Sequence, residues 1–146
     1  YWGHDFNQKY VDIGIQEEIS PEDHPRLNSV INDNFDFSDM PVMRFIWANG
    51  LFQHLTLEEI ETCVKNLKGI SDESTEFVFN YCQGDSSNNP KESFYPCIEP
   101  FWYSEKEITD VLTSAGWSVK VLDIEPHPRN GMGLVFDNFI NVSGRL

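Results

Sequence analysis

The chain has 146 residues, a length that fits one domain able to bury an apolar core. Hydrophobic residues make up 40% and aromatic residues 14% of the chain, which excludes an intrinsically disordered protein. The net charge of −14 opposes contact with nucleic-acid phosphates and anionic membranes, and the lysines and arginines are scattered. We therefore expect a globular domain that binds neither nucleic acid nor membrane.

The cysteine and histidine spacings show no disulfide framework and no metal site. Cys63, Cys82 and Cys97 are odd in number and widely separated, which is typical of reduced intracellular thiols. The four histidines lack metal-ligand spacing, and no apolar run reaches the length of a membrane span. Since no secretory signal is evident either, the sequence predicts a cytoplasmic protein.

The first third of the chain predicts two strands around one helix. Residues 1–4 have the pattern of a buried strand that ends at Asp5, and a helix over 7–18 begins with an asparagine cap. Segment 20–26 contains two prolines and predicts a loop, and 27–31 predicts a second strand. Because the chain opens inside a strand pattern without an initiator methionine, we expect a fragment or a processed product.

The middle of the chain predicts a strand, a helix and another strand. Residues 42–48 are apolar except for Arg44, which favours a strand buried on both faces of a parallel sheet. Residues 56–59 form a capping box, and apolar residues follow at helical spacing as far as Gly69. Residues 76–81 predict the next strand, so this stretch indicates a crossover unit.

A long polar loop precedes the last predicted helix. Residues 83–100 are rich in Gly, Ser, Asn and Pro, and loops of this length are usually functional or mobile. The loop ends in the aromatic segment 101–103. A second capping box at 104–107 then begins a helix that Gly116 ends.

The chain closes with two predicted strands, 117–124 and 131–139, which a turn at 126–130 joins into an antiparallel hairpin. Strands and helices alternate ahead of this hairpin, which argues for an α/β sheet that is mostly parallel. We therefore predict one domain over residues 1–146.

Polar residues follow the first predicted strand at a place suited to binding a nucleoside. At the carboxyl end of a parallel strand, Asp5 can accept hydrogen bonds from both hydroxyls of a ribose, and Gly3 leaves room for a ligand. Asp5 can equally cap the helix that begins beside it, or interact with the dipole of that helix.

The next two strand ends carry further candidates. In segment 32–35 an amide side chain can bind an adenine amino group, although such a segment is also typical of an Asx-rich turn. Asn49 and Gly50 follow the third strand, where small residues let a ligand lie across the strand tips; a simple strand-to-helix turn is the alternative. His54 lies just before the capping box and has the position of a structural residue.

Four segments occur in a characteristic order: Gly-x-Asp at 3–5, Asn-Asp-Asn-Phe-Asp-Phe-Ser at 32–38, Phe-Ile-Trp-Ala-Asn-Gly-Leu-Phe-Gln-His-Leu at 45–55, and Phe-Trp-Tyr at 101–103 before a capped helix. Together they resemble the class I S-adenosylmethionine-dependent methyltransferases over nearly the whole chain. The resemblance implies a three-layer, Rossmann-like α/β domain that uses S-adenosylmethionine and a small-molecule acceptor.

The resemblance also assigns contacts with the cofactor. The ribose would be held by Asp5, the adenine would meet Phe6, Asn34 and Phe35, and the methionine end would border Asn49 and Gly50. His54 would sit beside the pocket without performing chemistry.

The acceptor side is less defined, and no catalytic base is evident. In-line displacement from a sulfonium mainly requires alignment of the nucleophile with the methyl group, so a strong catalytic signature is not required. The candidate acceptor contacts are aromatic residues and one histidine, namely Tyr81, Tyr95, Trp102, Tyr103 and His127. Core packing is the alternative role of the aromatic side chains.

The chain departs from the family pattern in two places. Nothing in it resembles the glycine-rich G-x-G-x-G turn, and Arg44 stands where the family often has Asp. We therefore expect a partial domain that lacks the family's first strand and helix and that binds S-adenosylmethionine weakly or not at all. The strands beside the missing one would keep unpaired edges, which predicts homo-oligomerisation.

Two other hypotheses stay open. In the first, the chain is a noncatalytic or interaction remnant of the methyltransferase fold, in keeping with the missing glycine-rich turn. A nucleotide-binding enzyme of another Rossmann type would also use Asp5 at this position.

Overall fold

The computed structural model describes residues 1–92, 100–126 and 138–145. The strands within these ranges are β1 (Trp2–Asp5), β2 (Asn28–Ile31), β3 (Phe45–Ala48), β4 (Glu76–Gln83), β5 (Trp102–Tyr103), β6 (Ser118–Pro126) and β7 (Asn138–Arg145). The α helices are α1 (Gln8–Glu18), α2 (Leu57–Leu67) and α3 (Glu105–Ser114). Short 3-10 helices occur at Pro21–Arg26, Phe52–His54, Lys68–Ile70 and Ser86–Asn88.

The strands form two sheets. β1 and β2 are parallel and form a two-stranded sheet in which Asp5 lies opposite Ile31. The other sheet has five strands: its main order is β3-β4-β7-β6, and β5 pairs with the end of β4. β3 and β5 run parallel to β4, whereas β7 is antiparallel to both β4 and β6. The predicted mixed α/β fold is confirmed.

The last strand extends beyond its predicted end. β7 continues to Arg145, beyond the predicted end at residue 139, and the predicted turn and strand residues 127–137 lie outside the described residues. β7 is antiparallel to β6 as predicted, and it lies between β6 and β4.

Local capping signals determine where the helices begin. The side chain of Asn7 accepts from the backbone N–H of Lys9 at 3.0 Å, as predicted for the start of α1. Both predicted capping boxes form, with Thr56 at α2 and Ser104 at α3. Segment 20–26 differs from the predicted loop because Pro21–Arg26 forms a 3-10 helix, to which the fixed φ of its prolines is suited.

The apolar core lies between β4 and the helices α2 and α3. Phe77 and Phe79 alternate along β4 on the face that these helices cover, and both are fully buried. The ring centroids of Phe77 and Trp117 are 5.4 Å apart, and the Trp117 indole donates to the carbonyl of Val64 at 3.0 Å. The core therefore fixes α2 and α3 on one side of the larger sheet.

The prediction that the third strand is buried on both faces is wrong. Ile46 and Ala48 pack against the core, whereas Phe45 and Trp47 are 54% and 69% exposed. Side chains alternate along a strand, so Phe45 and Trp47 lie on the face opposite α2 and α3. No described residue buries them there.

The described helices are too short or too polar to cross a lipid bilayer.

Candidate functional site

A cavity of about 470 Å³ lies between β1 and β3, the neighbouring strands of the two sheets. β1 pairs with β2 on one edge, and β3 pairs with β4 on one edge. The other edge of each strand, which is unpaired among the described residues, faces the cavity. Four of the predicted cofactor contacts line the cavity, namely Asp5, Phe35, Asn49 and Gly50. The folded chain thus brings together residues that are up to 45 positions apart in sequence, 50 − 5 = 45.

Asp5 occupies the end of β1 and also caps the following segment. Its Oδ1 atom accepts the backbone N–H of Asn7 at 2.8 Å, which is the local role that the sequence left open. This bond occupies one carboxylate oxygen, and the other retains its lone pairs. Gly3 lines the same cavity, and a Cβ atom added to it would meet no atom of the described residues within 4 Å apart from its two chain neighbours.

Phe35 lines the cavity in a strained backbone conformation. Its φ of 56° lies in the left-handed region, which costs a residue with a side chain about 1–2 kcal/mol. The side chain of Asn66 in α2 donates to the Phe35 carbonyl at 3.0 Å, and the ring centroids of Phe35 and His4 are 5.9 Å apart. Strain of this kind is concentrated at binding sites and switch regions.

Asn34 and Phe6 do not line the cavity. The Oδ1 atom of Asn34 accepts the backbone N–H of Asp36 at 3.2 Å, and Asn32 bonds to both backbone groups of Asp36. Segment 32–36 is therefore an Asx-rich turn, which was the alternative interpretation. Phe6 is exposed.

Asn80, which no sequence pattern predicted as a site residue, supports the rim of the cavity. This residue of β4 is only 5% exposed, and its Oδ1 atom accepts the backbone N–H of Gly50 at 2.6 Å. Its Nδ2 atom donates to Oδ1 of Asn49. The available signal was one polar residue inside the apolar strand 76–82, but its partners lie about thirty positions earlier in the chain.

The connection from β3 to α2 is anchored along its length. The backbone N–H of Phe101 donates to the Gln53 carbonyl at 2.8 Å, and the Tyr103 hydroxyl donates to the Leu55 carbonyl at 2.6 Å. The Cys82 thiol donates to Oε1 of Gln53 at 3.6 Å. The Gln53 amide also bonds to Nε2 of His54, which is half-buried and does not line the cavity.

Three of the five predicted acceptor contacts lie away from this cavity. Tyr81 and Tyr103 are buried in the core, Trp102 is half-buried, and none of the three lines the cavity. Tyr95 and His127 fall outside the described residues.

The two buried phenols differ in their hydrogen bonding. Within the described residues the Tyr81 hydroxyl has no hydrogen-bond partner, whereas that of Tyr103 bonds to Leu55. Burial, and secondarily the charge of Glu105, raise the pKa of Tyr81 to about 12. Burial also raises the pKa of Tyr103, with further contributions from Glu59 and Glu107.

The thiols of Cys63 and Cys82 are free and buried, and burial raises the pKa of each to about 12. Across the described ranges, His, Cys, Asp and Glu side chains do not group in threes as metal ligands.

No protein-family model and no curated protein sequence matches the chain. Solved methyltransferases do match its structure over 99% of its length. The glycopeptide N-methyltransferase MtfA matches with a TM-score of 0.67 at 10% identity, and the chain covers 73% of it. Human N-acetylserotonin methyltransferase, solved with S-adenosylmethionine, matches with a TM-score of 0.64 at 10% identity and 39% coverage.

The magnesium protoporphyrin IX methyltransferase of Synechocystis, also solved with S-adenosylmethionine, matches with a TM-score of 0.66 at 13% identity. The chain spans 59% of that protein. Identities this low carry the fold and not the activity. The chain therefore has the fold of the class I S-adenosylmethionine-dependent methyltransferases.

Proposed function

We propose that the chain carries the nucleoside-binding part of an S-adenosylmethionine-dependent methyltransferase site, with a small molecule as the methyl acceptor. The observation that carries this proposal is the cavity that unites Asp5, Phe35, Asn49 and Gly50. Its features fit a nucleoside, because a carboxylate, an aromatic ring and small rim residues converge on one concave surface.

S-adenosylmethionine supplies a methyl group bound to a sulfonium sulfur. When the methyl group is transferred, the sulfur departs as a neutral thioether, which is a good leaving group. The residues of the chain would bind and orient the cofactor: Asp5 would accept hydrogen bonds from the ribose hydroxyls, and Phe35 would contact the adenine edge. Asn49 and Gly50 border the methionine end, while Phe6 and Asn34 stay predictions for the adenine side. Alignment of the methyl group with its acceptor is the main contribution required of the protein.

Adenosine and 2′,3′-dideoxyadenosine form a matched pair of probes for the role of Asp5. In an NMR titration we expect adenosine to shift the backbone amide signals of Asp5, Phe35 and Gly50. The dideoxy compound, which lacks the ribose hydroxyls, should bind more weakly. Asp5→Asn should abolish the difference, since an amide can still cap Asn7 but presents less acceptor capacity to a diol.

Gly3→Ala is the steric control for this experiment. The added methyl group meets no atom of the described residues within 4 Å apart from its two chain neighbours, so the fold should be kept while the room beside Asp5 is reduced. Equal binding of both nucleosides, or signal changes confined to residues away from the cavity, would overturn the proposed function.

The proposed partners are a small-molecule substrate and a second copy of the chain, and the proposed compartment is the cytoplasm. Free thiols at Cys63 and Cys82 suit a reducing compartment. The exposed side chains of Phe45 and Trp47, on the face of β3 opposite α2 and α3, support self-association because large exposed apolar side chains favour contact between chains.

Light scattering tests the self-association. We expect dimers whose fraction rises with added salt, because screening weakens the repulsion between chains of net charge −14. Trp47→Glu should shift the chain toward monomer, and Tyr10→Glu, on an exposed aromatic of α1, should not. A wild-type monomer at every salt and protein concentration would contradict the proposal.

A further inference from the structure

We infer that Asn80 is a positioning residue that fixes the orientation of the Asn49 carboxamide. In this orientation the NH₂ group of Asn49 is free to donate into the cavity. The ligand atom recognised at the end of β3 is therefore a hydrogen-bond acceptor. This inference rests on the proposed function for the identity of the ligand. It concerns whether Asn49 donates or accepts hydrogen bonds at the rim of the cavity, which the assignment of Asn49 to the cofactor site does not specify.

This hydrogen-bonding polarity of Asn49 follows from one backbone group. The N–H of Gly50 can only donate, so the Asn80 side-chain atom 2.6 Å from it must be the oxygen. The amide nitrogen of Asn80 is then the atom that faces Asn49. Because that nitrogen only donates, Asn49 must turn its oxygen toward it.

Asn49 therefore keeps two N–H donors for other partners. Asn49 is exposed and lines the cavity, whereas Asn80 is buried beneath it. Gly50 contributes to this orientation because its φ of 69° suits glycine and directs its N–H toward Asn80. A carboxylate or carbonyl oxygen matches this rim, and a protonated amine does not.

NMR of the ligand-free chain tests the polarity directly. We expect the side-chain NH₂ protons of Asn80 to be protected from exchange with water and those of Asn49 to exchange rapidly. In Asn80→Asp the carboxylate still accepts from Gly50 but cannot donate. Asn49 should then reverse its amide, and its NH₂ protons should become protected.

Protected NH₂ protons on Asn49 in the wild-type chain, or no change at Asn49 in Asn80→Asp, would overturn the inference. This outcome does not depend on any ligand, so it is distinguishable from a failure of the proposed function.

A pair of nucleoside probes tests recognition. Adenosine-5′-carboxylate and 5′-amino-5′-deoxyadenosine share the nucleoside and differ in carrying an acceptor or a donor at the 5′ end. We expect the ratio of their affinities, carboxylate over amine, to fall about tenfold in Asn80→Ala and in Asn49→Ala, the loss of one hydrogen bond to a charged group. Comparing ratios cancels the effect of the protein's net charge.

Val78→Ala is the matched control, since Val78 lies two positions earlier on the same face of β4. It should leave the ratio unchanged. An unchanged ratio in both asparagine variants, with both probes bound, would overturn the inference. Absence of binding by either probe would instead remove the proposed function, and the NMR result would decide the polarity.

Discussion

The β1–α1–β2 unit and the five-stranded sheet form opposite walls of one cavity, yet they differ in how they are stabilised. No residue in 1–36 is buried, and α1 has no buried residue, whereas α2 alone buries four side chains. The β1–α1–β2 unit, which carries Asp5, thus contributes no buried side chain. The opposite wall, which carries Asn49 and Gly50, packs against the buried core. Local opening should therefore begin at the β1–α1–β2 unit.

The largest expected contrast is between apolar side chains of the two regions. Phe79→Ala should lower the free energy of unfolding by about 3–5 kcal/mol, because it opens a cavity in the core beneath the larger sheet. Ile13→Ala, at an exposed position of α1, should change it by about 0.5 kcal/mol or less. Urea unfolding followed by tryptophan fluorescence measures both. Equal losses would show that α1 shares the stability of the core.

Removing a helix-capping side chain by substitution with alanine, once in each region, compares the two regions with the same kind of change. Ser104→Ala removes the capping box of α3 and should cost about 1 kcal/mol of global stability. Asn7→Ala removes one capping bond from α1 and should mainly speed amide hydrogen exchange within that helix. Hydrogen exchange across the chain separates the two responses. A global loss from Asn7→Ala would contradict the difference between the regions.

The two core tyrosines should respond with opposite signs to loss of the hydroxyl. Tyr81→Phe removes a buried hydroxyl that lacks a partner among the described residues, so stability should rise by up to about 1 kcal/mol. Tyr103→Phe leaves the Leu55 carbonyl without its donor and should cost about 1 kcal/mol. Urea midpoints of the paired variants give the test. A destabilised Tyr81→Phe would indicate a partner for its hydroxyl.

The smallest effect is expected from Glu107 in acid. Partial burial raises the pKa of this carboxyl, but hydrogen bonds from Ser86 and Ser104 outweigh it and leave the pKa below its usual range. A lowered pKa stabilises the folded chain above the ordinary glutamate range, and the stabilisation is lost as pH falls through the folded value. Glu107→Gln should flatten this part of the stability profile, measured by urea unfolding across acidic pH. An unchanged profile would exclude Glu107 as its source.

Sequence patterns predicted the features that depend on near neighbours. The caps at Asn7, Thr56 and Ser104 involve groups two or three positions apart, so composition and spacing were sufficient. The mixed α/β class followed from the alternation of strands and helices. The stop at Gly116 is likewise local, with a φ of 90° after α3.

Features that depend on distant partners were not predictable in this way. The exposure of Phe45 and Trp47 depends on what covers that face of β3, which no pattern within 42–48 encodes. The role of Asn80 depends on Asn49 and Gly50, and the insertion of β7 between β4 and β6 depends on long-range pairing. The cavity itself forms where two sheets meet, so only the candidate residues around it were visible in sequence.

The two buried cysteines offer a way to measure how often the core opens. Burial raises the pKa of Cys63 and Cys82 to about 12, so both thiols stay protonated at neutral pH and should resist disulfide reagents while the core is closed. In a Cys97→Ser background their labelling rate would count excursions of α2 and β4 separately. Labelling of these two thiols would therefore measure local opening of α2 and of β4, in the part of the structure that is expected to open least.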